Sequence, residues 1–257
     1  MTMCRFKPKA SRTSALNTLM PWLVMAVMSV SGCAGPTVAK TPREKADSLY
    51  FDGLEHMRSG AFLEAQQVFQ ELITMPAYLS VTSLARLRLA DTLFQQRKHV
   101  EAFEIYMAYA RRHDGSKNVP YARFMAARSR FEMVPTDFWL LPPVEEMDLS
   151  AADRARVLLE RFIRRYPTSR HVSIAHQLRD RCIALQLKQH HYVVDFYRER
   201  EAWLGVVHRL QSMMGQFPVQ THTLANYSTL ADAYERLDWN RRAVEMYSAI
   251  LGRWPGT

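Results

Sequence analysis

From Arg43 to the end, the chain keeps one hydrophobic rhythm. Apolar residues recur at spacings of three and four, glycine is scarce, and no stretch sustains the apolar–polar alternation of a half-buried strand. The rhythm predicts helices throughout, and the next question is whether they repeat. In the last stretch Ala231, Tyr234, Ala243, Tyr247, Ile250 and Pro255 fall at offsets 0, 3, 12, 16, 19 and 24. Gly53, His56, Ala65, Phe69 and Leu72 occupy the same offsets earlier in the chain, with Pro76 one residue early. Ala90, Leu93, Ala102, Tyr106 and Tyr109 do so next, with Asp114 where a proline is expected. Ala155, Leu159, Phe162 and Pro167 supply a third second-helix, and Tyr197, Val206, Leu210, Met213 and Pro218 a fourth unit. Small residues let two antiparallel helices approach, larger ones fill the space against the next pair, and proline ends the second helix. Helix pairs that each touch only their neighbours build a quasi-one-dimensional stack.

These offsets resemble the small, aromatic, Ala, aromatic, apolar and Pro positions of the tetratricopeptide repeat. The expected fold is therefore all-α: a right-handed superhelical solenoid of about five tetratricopeptide repeats spanning 43–257. The repeats are expected near 46–78, 83–115, 120–168, 187–219 and 224–256. The third is interrupted by an insertion over 134–152, which carries Phe138, Trp139, Leu140 and Leu141 beside Pro142-Pro143. The expectation favours a loop folding these side chains back onto the solenoid over one that protrudes toward a partner.

The first residues set the compartment. Arg5, Lys7, Lys9 and Arg12 are followed by an uncharged stretch from Thr13 to Ala39, the layout of a secretory signal. It ends in Val30-Ser31-Gly32-Cys33, which resembles the lipobox of bacterial lipoproteins. The expectation is a signal over 1–32, a lipidated tether over 33–42, and diacylglycerol with an N-acyl chain on Cys33. An uncleaved membrane anchor is the competing reading; Asn17, Thr18 and Pro21 interrupt it. Ala34 resembles the residue that follows the cysteine in lipoproteins sorted to the outer membrane. Removing residues 1–32 takes four positive charges from a net +9, leaving 9 − 4 = +5. No basic run interleaved with aromatics points to nucleic acid. Cys182 is left as the only free thiol, read as a small apolar core residue.

No constellation of a catalyst is legible. His190-His191 are adjacent and His171 and His176 are five apart, so neither pair suits a helix-borne metal, and no glycine-rich phosphate loop or nucleophile elbow occurs. The expectation is no enzyme, no metal and no cofactor beyond the lipid. First helices line the concave side of such solenoids, which puts Tyr50, Leu54, Met57, Leu87, Asp91 and Phe94 in a groove, extended by Tyr121, Phe124 and Arg128. Such a groove suits an extended apolar segment, with Arg128 taking a terminal carboxylate. The competing reading packs several of these side chains between repeats.

The run Asp195-Phe196-Tyr197-Arg198-Glu199-Arg200-Glu201-Ala202-Trp203-Leu204-Gly205-Val206-Val207-His208-Arg209-Leu210 resembles the fourth-repeat signature of the BamD family of outer-membrane β-barrel assembly lipoproteins. Tyr166-Pro167-Thr168-Ser169 resembles that family's third-repeat ending, and the insertion before it also matches. The likeness covers roughly Ala46 to Pro255; the first two repeats depart from it by lacking a Tyr-Pro ending. The resemblance implies a scaffold at the periplasmic face of the outer membrane. It would bind the periplasmic domains of the barrel-forming subunit, other assembly lipoproteins and unfolded barrel C-termini. It also implies that Trp203 and Arg209 belong to the interface with that subunit. A different lipidated repeat adaptor, such as a pilotin or a cell-wall coordinator, is the alternative.

Overall fold

The computed structural model describes residues 41–75 and 79–255, so the signal segment, Cys33 and all of the tether before Thr41 lie outside the described residues. Among the described residues the regular structure is helical: α1 (Pro42–Ser59), α2 (Phe62–Thr74), α3 (Leu79–Gln95), α4 (His99–Arg112), α5 (Val119–Phe131), α6 (Ser150–Arg165), α7 (Val172–Glu199), α8 (Trp203–Gln216), the short α9 (Pro218–Thr221), α10 (Leu224–Arg236) and α11 (Asn240–Arg253). The helices pack on their neighbours in sequence, except that α8 packs on α10 across the short α9, and α1 also reaches α3 and α5 reaches α7. This is the contact pattern of a helical repeat solenoid.

The repeat positions do what their residue types require. Ala65, Ala102, Ala155 and Ala231 are fully buried, and so are Phe69, Tyr106 and Leu210. At Gly53 a Cβ would lie 2.6 Å from the Phe69 ring, so glycine there is a demand of the close approach of α1 and α2. Tyr247 occupies the same offset as Phe69 and Tyr106 but is half-exposed, since among the described residues α11 packs on α10 alone.

The turn inside the pair is also repeated in every repeat but the third, which carries the insertion. Gly60, Arg97, Glu201 and Asp238 have φ of 80°, 61°, 56° and 57°, and each lies seven residues after its repeat's offset-zero residue: 60 − 53, 97 − 90, 201 − 194 and 238 − 231. In the last three, the next N–H reaches back to the residue at offset three: Lys98 to Leu93, Ala202 to Tyr197 and Trp239 to Tyr234, each at 2.9 Å. That is the closure of a helix C-terminus by a left-handed residue.

Helix and repeat bounds do not coincide at two places. The helical run expected over Ala175–Lys188 is part of one longer helix, α7, which starts at Val172 and crosses the repeat start expected near 187, and α6 begins at Ser150, inside the expected insertion. The early start of α7 has a packing reason. Ala175, Leu178 and Cys182 on its first half complete the apolar core of the first three repeats. Ile183 and Val194 on its second half belong to a separate core with α8, α10 and α11. One 28-residue helix thus serves both cores.

Candidate functional site

The expected groove is largely closed by its own packing. α3 is covered by α1, α2 and α4, which leaves little of it to face outward. Leu87, Phe94 and Phe124 are buried, so the expectation that they line an open groove is corrected: they pack between helices. Tyr50, Leu54 and Met57 on α1 are half-buried against the same core and keep a partly open face.

Asp91 is buried as well. Its Oδ1 accepts from the Tyr106 and Tyr121 hydroxyls and its Oδ2 from Arg88 Nη1. Burial pushes the Asp91 carboxyl up, against the pull of Tyr106, Arg88 and Tyr121. Burial, followed by the Asp91 charge, pushes both phenols well above the ordinary tyrosine range. Asp91 is thus a buried brace between the second and third repeats. Arg128 donates from Nε to Glu132 Oε1 at 3.3 Å and lies 5.1 Å from the centroid of Phe94. Its charge is paired, which weakens the case for it as the receptor of a terminal carboxylate.

Beside this brace lies a cavity of about 540 Å³, walled by Arg88 and Tyr121 and by the turns before α5 and α7. Arg88, Lys117, Arg165 and Arg170 line it, and no carboxylate does.

A second polar pocket, of about 330 Å³, sits where the base of the insertion meets α7 and α8. Gln186, His190 and Arg209 line it. Gln186 Oε1, His190 Nδ1 and Arg209 Nε are buried with no hydrogen-bond partner among the described residues. Burial, and after it the Arg209 charge, lowers the His190 pKa to about 4, so the ring is neutral at pH 7. Burial also lowers the Arg209 pKa, with only Tyr197 opposing it. Trp203, the other interface candidate, is half-buried on the rear core under the guanidinium of Arg236, 5.2 Å from its ring centroid.

The insertion does not fold its aromatics inward. Phe138, Trp139, Leu140 and Leu141 are 53%, 86%, 70% and 54% exposed, which corrects the favoured expectation. The anchor is the segment that follows. Val144 is buried and its N–H donates to Asp137 Oδ1, while Gln189 Nε2 reaches the carbonyls of Glu145 and Met147. With Pro142-Pro143 between anchor and tip, the four apolar side chains are held outward.

Cys182 is buried and its thiol is pushed up to about 12, chiefly by burial, which makes it an inert core group. No helix of the described residues is long and apolar enough to cross a membrane.

A family model described as an outer membrane lipoprotein, YfiO, matches residues 42–249. The chain is 19% identical over 233 residues to the outer membrane protein assembly factor BamD of Pasteurella multocida, covering 89% of this chain and 88% of that one. Solved chains that align with it include the tetratricopeptide-like repeats of a Podosopora anserina putative kinesin light chain, at 15% identity and a TM-score of 0.37. That alignment covers 85% of this chain and all of the other. A variant of the same repeats aligns at 14% identity and a TM-score of 0.37, over 83% and 95% of the two chains.

Proposed function

The chain belongs to the YfiO family of outer membrane lipoproteins, and we propose on that premise that it is a non-catalytic scaffold of the machinery that assembles outer-membrane β-barrels. In this reading Cys33 carries the lipid and holds the solenoid at the periplasmic face of the outer membrane. The rear repeats bind periplasmic domains of the barrel-forming subunit, and the front groove receives unfolded barrel substrates.

The observation that carries the reading is the pocket around Arg209. A buried polar atom without a partner costs about 1–3 kcal/mol. Three of them gathered in one pocket, Gln186 Oε1, His190 Nδ1 and Arg209 Nε, form a socket that a partner's polar side chain can complete. Arg209 makes no ion pair among the described residues, although Asp148 and Asp153 line the same pocket, and its planar fork suits a partner carboxylate. Trp203 stands six residues before it, at the start of α8 on the rear core.

The test is capture of the lipidated protein from detergent-solubilised outer membranes. The expected result is co-purification of a large barrel protein, reduced about tenfold or more by Arg209→Ala, the cost of losing one charge-assisted contact. Recovery of a pilus secretin alone, or full recovery of the barrel protein with Arg209→Glu, would overturn the reading.

A further inference from the structure

Two cavities in the front repeats are one cleft made twice. The larger, about 410 Å³, runs from Ile73 at the end of α2 across α3 to the last turns of α4. The smaller, about 190 Å³, lies one repeat on, where α5 meets α6. Ile105, Ala108, Tyr109, Arg112 and His113 line the first; Leu158, Arg161, Phe162, Arg165 and Tyr166 line the second. Each member of the second set stands 53 residues after its counterpart, as in 158 − 105 and 165 − 112. Arg86 and Arg111 add charge to the first cleft, and Arg164 repeats Arg111 at the same interval.

The charge there is not neutralised from within. Arg86, Arg111, Arg112, Arg161 and Arg164 make no ion pair among the described residues. Glu104 is the sole acid lining either cleft, and it faces Arg130 at 4.0 Å. A cation in the last turn of a helix is favoured by the helix dipole alone, which accounts for the basic ends of α4 and α6. It does not account for the apolar floors beside them, from Ile73, Leu89 and Ile105 in one and Met107, Leu158 and Phe162 in the other. His113 Nε2 and Arg123 Nε, one at each cleft, are buried with no hydrogen-bond partner among the described residues.

Both clefts lie at one edge of the stack, where α4 and α6 end and α5 begins. Lys45 Nζ meets Glu71 Oε1 at 3.3 Å, which sets the start of α1 beside the end of α2 and so beside Ile73. The tether therefore joins the solenoid at this same edge. Cys33 precedes Thr41 by 41 − 33 = 8 residues, a reach of at most about 29 Å. The insertion leaves α5 from its other end and carries the opposite sign, with Asp137, Glu145, Glu146 and Asp148.

We infer that the tether-side edge lies on an anionic phospholipid surface, each cleft holding one lipid with its phosphate among the arginines and part of an acyl chain on the apolar floor. The inference rests on the reading that Cys33 carries the lipid, and it adds what that anchor leaves free. An acyl anchor on a tether limits distance and not angle; a basic edge sets the angle. Cations near the plane of anionic headgroups are attracted one by one, and the arginine fork matches a phosphate. With this edge on the lipid, the exposed Phe138–Leu141 tip at the other edge points away from the bilayer, where a partner can reach it.

The experiment reconstitutes the lipidated protein in vesicles that carry a nitroxide quencher at headgroup level. One set is phosphatidylcholine alone, and the other is equal parts phosphatidylcholine and phosphatidylglycerol. Cys182 is buried, so a fluorophore can be placed on Gly115→Cys, where an added side chain meets nothing within 4 Å. That position, in the turn after α4, reports the basic edge; Thr136→Cys, at the start of the insertion, reports the other. The label on Gly115→Cys should be quenched in the mixed vesicles and not in phosphatidylcholine. Quenching should disappear at about 1 M salt, where charges are screened within about 3 Å. It should also disappear in Arg111→Gln/Arg112→Gln/Arg161→Gln/Arg164→Gln while the protein stays with the vesicles. All four arginines are exposed, so the variant is expected to keep the wild-type melting temperature; Arg111→Gln/Arg112→Gln, expected to lose part of the quenching, serves if it does not.

Equal or absent quenching in the two vesicles, or quenching that survives the fourfold variant, would overturn the inference and leave the lipid anchor standing. Quenching on Thr136→Cys in place of Gly115→Cys would also overturn it, since the apolar insertion would then be what meets the lipid. Release of the protein from both vesicles on carbonate washing sinks the anchor reading, and the inference with it.

Discussion

In the second repeat a carboxylate is buried between helices and satisfied three times over: Asp91 accepts from Tyr106, Tyr121 and Arg88. In the fourth repeat, Gln186 and His190 are just as buried, at 7% exposure each against 7% for Asp91. Yet Gln186 Oε1, His190 Nδ1 and the neighbouring Arg209 Nε have no partner among the described residues. Unpartnered buried atoms occur in the front repeats too, at His99 Nδ1, His113 Nε2 and Arg123 Nε, and the rear satisfies Thr221 and Asn226 internally; the contrast is that around Arg209 three unpartnered atoms gather at one pocket mouth. The apolar surface follows the same division at the end of the stack. Val244, Tyr247 and Leu251, on one face of α11, are 62%, 41% and 64% exposed, where the equivalent face of α4 lies under α5. The difference teaches that burial of a polar group does not by itself say whether it stabilises the fold or waits for a partner; the bonding partners of each atom do.

The sharpest way to break this comparison is to remove the brace. Asp91→Leu leaves two phenols and a guanidinium facing an apolar side chain. Stripping one member from a buried charged set costs about 3–5 kcal/mol. Urea unfolding of the unlipidated Cys33→Ala protein should show that loss, and Asp91→Asn, which keeps an acceptor, should lose less. The raised Asp91 pKa is consistent with this. Ionised Asp91 loses more on burial than its bonds return, so the set is costly to assemble and costlier still to break. A loss below about 1 kcal/mol for Asp91→Leu would mean that the front core repacks freely and that the contrast with the rear is false.

A second, smaller effect separates the halves by pH. His190 titrates near 4 in the folded chain and near its ordinary 6.5 when unfolded. The unfolded chain therefore takes up a proton first as pH falls. The stability that His190 contributes is complete above about 6.5 and is lost as pH falls from there toward 4. At about 1.4 kcal/mol per unit the loss is at most about 3 kcal/mol, less to the extent that solvent reaches the ring. His99 and His171 are also lowered by burial and act with the same sign, so the comparison must be with a variant. The wild-type melting temperature should fall between pH 6.5 and 4.5, and His190→Gln should flatten that fall by several degrees. Parallel curves would show that the ring is solvated and that the rear pocket is not a dry socket.

The frame behind this comparison was legible because it is periodic. Ala65, Ala102 and Ala155 at one offset report a helix pair wherever it occurs, and all three are fully buried. What escaped is what depends on distant or non-periodic partners. The start of α7 at Val172 carries no glycine or proline marker beyond Pro167, and its periodicity runs unbroken into the next repeat. The left-handed turn was signalled by Gly60 alone, because arginine, glutamate and aspartate at the same offset are poor markers of positive φ. Phe124, Phe94 and Leu87 read as groove residues because their spacing is right for a first helix; burial came from three neighbouring helices that spacing cannot reveal. The outward set of Phe138–Leu141 follows from Val144 and Gln189, one of them far along the chain. In the cavity beside Asp91 the cations stood in plain sight at Lys117 and Arg170, and only the fold brings them to one wall.

The smallest expected effect is the most telling, because its sign should reverse between the halves. Gln186→Leu removes a buried oxygen that has no partner, together with a long 3.4 Å contact from its Nε2 to Asp153. Asp153 keeps its pairing with Arg156 at 2.8 Å, so the substitution strands no charge. Replacing an unsatisfied amide by an apolar side chain of similar size should leave stability within about 1 kcal/mol of wild type, and can raise it. Capture of the barrel subunit should nevertheless weaken, since the socket loses one of its three polar groups. Stability unchanged and capture reduced would mark Gln186 as a partner group. A destabilisation of about 3 kcal/mol, matching Asp91→Leu, would mean that Gln186 is satisfied within the folded chain, and the rear pocket would then be a second brace.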